Sequence, residues 1–159
     1  MSFIRNPFAK RDGYDCFGCS PDNPIGLKLQ FKEDGEDIIA DWEPQEHYQG
    51  WTNVLHGGIQ ASMLDEIGSW LVFVRLKSGC VTSRLDIRYR KPVPVNQGNI
   101  TLRAHLKLQT SRIVEVEVSL FGPDGTLCSG GVASYFLFDK ETAKEKLMFP
   151  DKEDAFTAV

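Results

Sequence analysis

A histidine followed by two glycines stands where the sequence changes from an irregular segment to an apolar helical pattern. These residues are His56, Gly57 and Gly58. Glycine inside a helix costs about 1 kcal/mol relative to alanine, so a pair at a helix start indicates a specific requirement. The first amides of a helix have no internal partner and lie at the positive end of its dipole, so the Gly57 amide could polarise a carbonyl that gains negative charge. The tripeptide alone supports equally well a tight entry into the helix or close packing.

Two acidic residues lie further along the same apolar pattern, at Asp65 and Glu66. Carboxylates rarely occupy such positions without a partner or a function. At about 100° per residue, Asp65 shares its helix face mainly with small residues. These neighbours are Ala61, Gly68 and Val72. Small side chains allow a ligand or another chain to approach, so Asp65 is the preferred catalytic group and Glu66 the reserve. The alternative is an acid that faces solvent or pairs with an arginine.

The spacing of Gly57 and Asp65 has a consequence for assembly. Asp65 lies eight residues beyond Gly57, which is roughly 12 Å along a helix axis. One carbonyl group cannot touch both, because an oxyanion donor and an attacking group must each lie about 3 Å from the reacting centre. A working site would combine Gly57 of one subunit with Asp65 of another. The sequence therefore predicts a homodimer with shared sites.

The pattern of apolar residues predicts the elements that must hold these side chains. Strands are expected at residues 27–31 and 38–42, joined by a turn at Asp34-Gly35. Apolar residues at intervals of three or four then predict one long helix between His56 and the break at Ser78-Gly79. Further strands are predicted at 81–90, 98–108, 112–121 and 127–138. This order predicts an α+β protein in which an antiparallel sheet wraps around one helix, the outline of the hotdog fold.

The length and uniform composition of the chain predict a single domain over residues 1–159. The N-terminal arm, 1–20, and the mostly charged segment 140–159 are expected at its periphery. A formal net charge of -4 gives none of the basic excess that nucleic-acid binding uses. The densest apolar run, 70–74, is too short to span a bilayer, and the N-terminus has no apolar leader segment. The sequence therefore predicts a cytoplasmic protein without nucleic-acid or membrane partners.

Cys16 and Cys19 form the one closely spaced cysteine pair of the sequence. A C-x-x-C pair can bind zinc or act in redox chemistry, but zinc sites usually add a second such pair or a histidine pair. Cys80 and Cys128 are isolated, and the pair leads into a proline-rich turn rather than a helix. We interpret Cys16 and Cys19 as reduced thiols in an N-terminal loop and predict no metal.

Three segments together resemble one protein family. They are the C-x-x-C opening with Asn23-Pro24-Ile25-Gly26-Leu27, the H-G-G tripeptide with an aspartate nine residues after its histidine, and Thr82-Ser83-Arg84-Leu85-Asp86-Ile87-Arg88-Tyr89-Arg90-Lys91-Pro92. Over nearly its whole length the chain resembles the PaaI-like branch of the hotdog-fold thioesterases, which hydrolyse acyl-coenzyme A (acyl-CoA) esters. The resemblance implies a sheet continuous across a homodimer and, as in many members, a dimer of dimers.

The resemblance also implies roles for individual residues. Gly57 would polarise the thioester carbonyl, and Asp65 of the neighbouring subunit would act as general base or nucleophile. His56 would shape the site, and Thr82 would help to position the attacking water. Coenzyme A is part of the substrate, and no cofactor is expected.

Substrate binding is expected from residues close to these positions. Gly58 and Asn53 are candidates, although many relatives carry an asparagine six residues before the histidine, where this chain has Gly50. Arg88 and Arg90 belong to a basic strip on the predicted strand and suit the phosphates of coenzyme A. The alternative for each arginine is a solvated strand face.

Hydrolysis of an acyl-CoA thioester is therefore the expected function. One alternative keeps the fold but makes the protein an enoyl-thioester hydratase or dehydratase, whose proline-rich histidine loop has no counterpart around His47. A second alternative is a non-catalytic acyl-CoA-binding protein. The acyl group accepted would depend on the packing of Trp51, Trp70 and Phe73.

Overall fold

The computed structural model describes residues 1–159. Its strands are β1 (Lys32–Asp34), β2 (Asp37–Trp42), β3 (Cys80–Tyr89), β4 (Ile100–Gln109), β5 (Ile113–Phe121) and β6 (Leu127–Leu137). Its helices are α1 (Gly57–Leu71), which continues as a π-helical segment at Val72–Leu76, and α2 (Lys140–Leu147), with a short 3-10 turn at Glu46–Tyr48. None of these helices combines the length and apolar character needed to cross a membrane.

All six strands form one antiparallel sheet in the order β1-β2-β4-β5-β6-β3, and α1 packs against it. The predicted α+β hotdog fold is confirmed. Because β3 stands at the end of this order, it is an edge strand with one side unpaired within the chain. This placement matters for the site, since β3 also packs against α1.

The core lies between α1 and the sheet. In β5 every second residue from Val114 to Leu120 is buried, the period-two pattern of a strand with one covered face. Met63, Ile67 and Trp70 of α1 belong to the same buried cluster. Each such side chain contributes about 1.5–3 kcal/mol when it leaves water. Burial of these three side chains therefore fixes the rotation of α1 about its axis. It also fixes the directions in which the other side chains of α1 point.

The small-residue face of α1 is partly filled by the chain itself. The Tyr135 hydroxyl of β6 donates a 2.7 Å hydrogen bond to the Asp65 carbonyl oxygen. A Cβ atom on Gly68 would collide with that hydroxyl, and Val72 is fully buried. The interpretation that this whole face leaves room for a ligand is therefore wrong at Gly68 and Val72, where close packing explains the small side chain.

The predicted strand at 27–31 is not a strand. Its alternating burial is real, because Leu27, Leu29 and Phe31 are buried. Their backbone, however, bonds to the N-terminal loop: the Leu27 amide donates to the Phe17 carbonyl and the Leu29 amide to the Gly18 carbonyl. The sheet begins only at β1, after which Gly35, at φ 61°, begins the turn into β2.

The two ends of the chain are not peripheral, contrary to the expectation for 1–20 and 140–159. Phe156 is only 2% exposed and belongs to the main core, as does Phe8. Their ring centroids lie 5.8 Å apart, and Phe73 and Phe149 complete the aromatic cluster. The high charge of the C-terminal segment gave no indication that part of it is apolar and buried. Burial of Phe156 nevertheless packs this segment against the domain.

Candidate functional site

His56 forms the N-terminal cap of α1. Its Nδ1 accepts a 2.9 Å hydrogen bond from the Gly58 amide. A Cβ atom on Gly58 would lie 3.1 Å from that nitrogen, closer than ordinary packing allows. Position 58 therefore favours glycine, because a larger residue would crowd the capping His56 ring. The Gly58 amide already donates its hydrogen bond to His56 and is not available to a ligand. His56 is therefore a structural determinant of the helix start, and its role in shaping the site stays a prediction.

Gly57 differs from its neighbour because its amide makes no hydrogen bond within the chain. Its carbonyl oxygen accepts a 2.7 Å hydrogen bond from the Tyr89 hydroxyl. A Cβ atom on Gly57 would lie 3.4 Å from the Tyr89 ring, an ordinary contact. Packing within the chain therefore does not require glycine at position 57, and the first helix amide stays available for a ligand.

A pocket of about 750 Å³ opens beside Gly57. Trp51, which is 85% exposed, forms an apolar part of its wall, and Arg90 and Lys91 bring two positive charges to it. Tyr89 also lines the pocket, through the same side chain that bonds Gly57. An aromatic wall, two cations and a free amide form a site that suits an anionic ligand with a polarisable carbonyl.

The structure separates the other predicted binding residues from this pocket. Arg88 is exposed but does not line it, because alternate residues of a strand point to opposite faces and Tyr89 takes the face towards α1. Asn53 lies in a neighbouring groove that shares Lys91 with the pocket. Trp70 and Phe73 pack in the core and do not line this pocket, so their influence on the acyl group stays a prediction.

Asp65 is held by β3. The Thr82 hydroxyl donates a 2.7 Å hydrogen bond to Asp65 Oδ1, and no second hydrogen bond engages the carboxylate. Asp65 forms no ion pair within the chain, so the alternative of an arginine partner is excluded for the single chain. One carboxylate oxygen is oriented and the other is free to accept a proton or to attack.

A β-bulge directs Thr82 towards α1. Leu85 and Ile87 occupy alternate positions of β3 and pack against the core. Strict alternation would place Ser83 on that same face, but the pairing of β3 with β6 shifts register between Thr82 and Arg84. An extra residue in one strand reverses the alternation beyond it. The bulge therefore gives the helix-facing position to Thr82.

Glu66 lies in different surroundings from Asp65. Its Oε1 accepts a 3.2 Å hydrogen bond from the Trp70 indole, and the Cys16 thiol lies 3.5 Å from the same oxygen. Burial raises the pKa of Glu66 to about 8. Because Glu66 points towards the N-terminal loop, Asp65 alone of the two acids reaches the bulge in β3.

Gly57 and Asp65 lie at opposite ends of the contact between α1 and β3. Tyr89, at the end of β3, bonds Gly57, whereas Thr82, near its start, bonds Asp65. The helix between them is unbroken, so the rise of about 1.5 Å per residue keeps them roughly 12 Å apart along its axis. One chain therefore does not bring the two predicted catalytic groups together.

The sequence profile of the thioesterase superfamily matches residues 52–129. The chain belongs to the thioesterase superfamily. The matched range contains α1, β3, β4 and β5, and thus both Gly57 and Asp65. Membership supports thioester hydrolysis as the general class of reaction.

Individual relatives of this thioesterase-superfamily chain agree with the fold. A protein of Saccharolobus solfataricus named as a candidate esterase is 27% identical over 127 residues, covering 79% of this chain and 82% of the relative. A Bacillus halodurans protein whose structure was determined with CoA has 26% identity and a TM-score of 0.62 over 72% of this chain and 75% of its own. A Ralstonia eutropha candidate thioesterase, described as related to phenylacetic acid degradation, has 21% identity and a TM-score of 0.62 over 69% and 85% of the two chains.

Within this superfamily member, the position that departs from the PaaI-like pattern lies at the site. A Cβ atom on Gly50 would lie 3.3 Å from the His56 ring, so a side chain there would press on the helix cap. Sequence reasoning missed the role of Tyr89 at the pocket. Strand alternation places Tyr89 on the apolar face of β3, with Leu85 and Ile87, but no sequence signal pairs its hydroxyl with Gly57.

Proposed function

We propose that the protein hydrolyses an acyl-CoA thioester at a site shared by two copies of the chain. Gly57 of one subunit polarises the thioester carbonyl, and Asp65 of the partner subunit activates water or attacks the carbonyl directly. One observation carries the proposal: the edge strand β3 holds Gly57 near one of its ends, through Tyr89, and Asp65 near the other, through Thr82.

An antiparallel pair of β3 strands would assemble the site. The ten residues of β3 form a sheet edge whose outer backbone groups have no strand partner within the chain, and such edges pair readily with another strand. Antiparallel pairing of β3 with its copy brings the Thr82 end of one strand to the Tyr89 end of the other. Asp65 would then approach Gly57 of the partner subunit. The dimer of dimers implied by the family stays a prediction.

The chemistry follows from the two groups. The free Gly57 amide, at the positive end of α1, stabilises the oxyanion that forms when the thioester carbonyl is attacked. Asp65, oriented by Thr82, takes a proton from the attacking water, or forms an anhydride that water then opens. The carbon–sulfur bond breaks, and the coenzyme A thiolate leaves and is protonated. No step requires a further cofactor.

The pocket beside Gly57 suits the coenzyme A portion of such a substrate. Arg90 and Lys91 can pair with its phosphates, and Trp51 offers an aromatic face to its apolar parts. The CoA found with the Bacillus halodurans structure supports this ligand class. Arg88 points away from the pocket and is not assigned to the substrate.

The test is hydrolysis of a panel of acyl-CoA thioesters, followed through release of the thiol. We expect Asp65→Asn to lower kcat by about 10²-fold or more with a smaller effect on KM. Glu117→Gln on the exposed surface of β5 is the matched control and should keep full activity. An Asp65→Asn variant as active as the wild type would remove Asp65 from the mechanism, and tight acyl-CoA binding without turnover would favour the non-catalytic alternative.

A further inference from the structure

The N-terminal loop places two thiols against α1. Cys16 Sγ lies 3.4 Å from Cys19 Sγ and 3.5 Å from Glu66 Oε1. The three potential ligand atoms all lie within 4.8 Å of one another. The loop is held there by backbone hydrogen bonds from Leu27 and Leu29 to the residues between the cysteines. Two elements far apart in sequence therefore converge on one cluster.

These separations match the edges of a tetrahedral metal site. Zinc binds thiolate sulfur at about 2.3 Å and carboxylate oxygen at about 2.0 Å, so tetrahedral angles place two sulfurs about 3.8 Å apart and sulfur and oxygen about 3.5 Å apart. The Cys16–Cys19 and Cys16–Glu66 distances, 3.4 Å and 3.5 Å, are close to these values, and the Cys19 and Glu66 ligand atoms lie within 4.8 Å of each other. Glycine at position 18 permits this approach, because a Cβ atom there would lie 2.5 Å from the Glu66 carboxyl group.

No basic side chain pairs with the cluster within the chain. Glu66 forms no ion pair with any lysine, arginine or histidine. Its hydrogen-bond donors are the Trp70 indole and the Cys16 thiol. Two thiols and a carboxyl group without a basic neighbour offer three ligand atoms of the kind that bind zinc.

We propose that Cys16, Cys19 and Glu66 form a three-ligand site for a thiophilic divalent cation such as zinc. The Tyr14 hydroxyl, 2.8 Å from Cys19 Sγ, orients the second thiolate, and solvent completes the coordination. The metal would tie the N-terminal loop to α1 at the residue next to Asp65 and so fix the helix that carries both catalytic groups. The sequence prediction of no metal considered cysteine and histidine ligands only, whereas the third ligand here is a carboxylate on α1.

Cobalt titration tests the site without reference to catalysis. We expect metal-free, reduced protein to bind one Co²⁺ per chain, with thiolate-to-cobalt charge-transfer absorption and the visible bands of tetrahedral cobalt, and zinc to displace it. Cys16→Ser and Cys19→Ser should each greatly weaken the charge-transfer band. Glu66→Gln should keep sulfur ligation but lower the affinity for Co²⁺ at least about tenfold. Loss of a residue that only hydrogen-bonds a metal ligand already lowers metal affinity by about that factor, and Glu66 would bind the metal directly.

Two matched controls and three further results decide the outcome. Cys80→Ser and Cys128→Ser remove thiols that lie outside the cluster and should leave the cobalt spectrum unchanged. Wild-type protein without a charge-transfer band would overturn the proposal, as would a band that survives in the double variant Cys16→Ser/Cys19→Ser. A loss of two of the four thiols on mild oxidation, in protein that binds no metal, would assign the pair to a disulfide instead. Circular dichroism of Glu66→Gln, which keeps the side-chain volume, separates loss of metal from loss of fold.

Discussion

The Thr82 hydroxyl donates a 2.7 Å hydrogen bond to one carboxylate oxygen of Asp65, across the contact between an edge strand and the long helix. The bond fixes the direction of the carboxylate and leaves its second oxygen free. It also links the proposed catalytic acid to the strand that would form the dimer. Changes at Thr82 therefore test both the orientation of Asp65 and the location of the site.

Removal of the Thr82 hydroxyl should impair catalysis. Thr82→Val keeps the β-branched shape but leaves the Asp65 carboxylate without its hydrogen bond. Hydrogen bonds to charged groups are worth about 1.5–3 kcal/mol, so kcat should fall by roughly 10- to 100-fold. Thr82→Ser retains the hydroxyl and should restore most of the activity in the same thiol-release assay. Equal loss in both variants would show that the bond to Asp65 is not what Thr82 supplies.

The Gly57 amide can be deleted with little change to the helix. Proline is well tolerated at the first position of a helix, and His56 already has φ -60° and ψ 135°, a conformation compatible with a following proline. Gly57→Pro removes the N–H group and should lower kcat by about 10²- to 10³-fold, the cost of losing one oxyanion donor. Gly57→Ala keeps the amide, and its Cβ has room beside Tyr89, so it should remain far more active. Similar kinetics for the two variants would exclude the amide as the donor.

Mixed dimers test whether the site is shared. In a dimer of one Gly57→Pro subunit and one Asp65→Asn subunit, one site carries both defects and the other carries neither. Random pairing of equal amounts yields half mixed dimers, so activity should recover to about one quarter of the wild-type value, although each variant alone is nearly inactive. Co-expression with two affinity tags, followed by purification of the mixed species, makes the measurement direct. No recovery in purified mixed dimers would place both groups in one chain.

Several parts of this architecture follow from the sequence and others do not. The helix after His56 and the four long strands follow from hydrophobic period, because burial between a helix and a sheet imposes that period. The bulge that turns Thr82 towards α1 depends on the register of β3 against β6, a pairing between distant segments. The burial of Phe156 is similarly non-local, because this aromatic side chain of a charged segment packs against distant parts of the chain, such as Phe8 and Phe73.

The candidate site also combines features that follow from the sequence with features that do not. The candidate roles of Gly57 and Asp65 were accessible from residue type and helix spacing. The contribution of Tyr89 was not, since a tyrosine in an alternating strand gives no indication of the partner of its hydroxyl. The cluster of Cys16, Cys19 and Glu66 was likewise not predicted, because its members meet only when the N-terminal loop packs against α1. Contacts between distant segments therefore account for what sequence reasoning missed.

Gly68 and Tyr135 should be energetically coupled. Gly68→Ala improves helix propensity by about 1 kcal/mol, but its Cβ would collide with the buried Tyr135 hydroxyl and displace it from the Asp65 carbonyl. Overpacking costs about 1–3 kcal/mol and a lost hydrogen bond about 1 kcal/mol, so the variant should be less stable by roughly 1–3 kcal/mol. Tyr135→Phe removes the colliding oxygen, and in that background Gly68→Ala should cost clearly less. Urea unfolding of the four proteins of this cycle measures the coupling, and additive effects would show that the helix shifts to accommodate the methyl group.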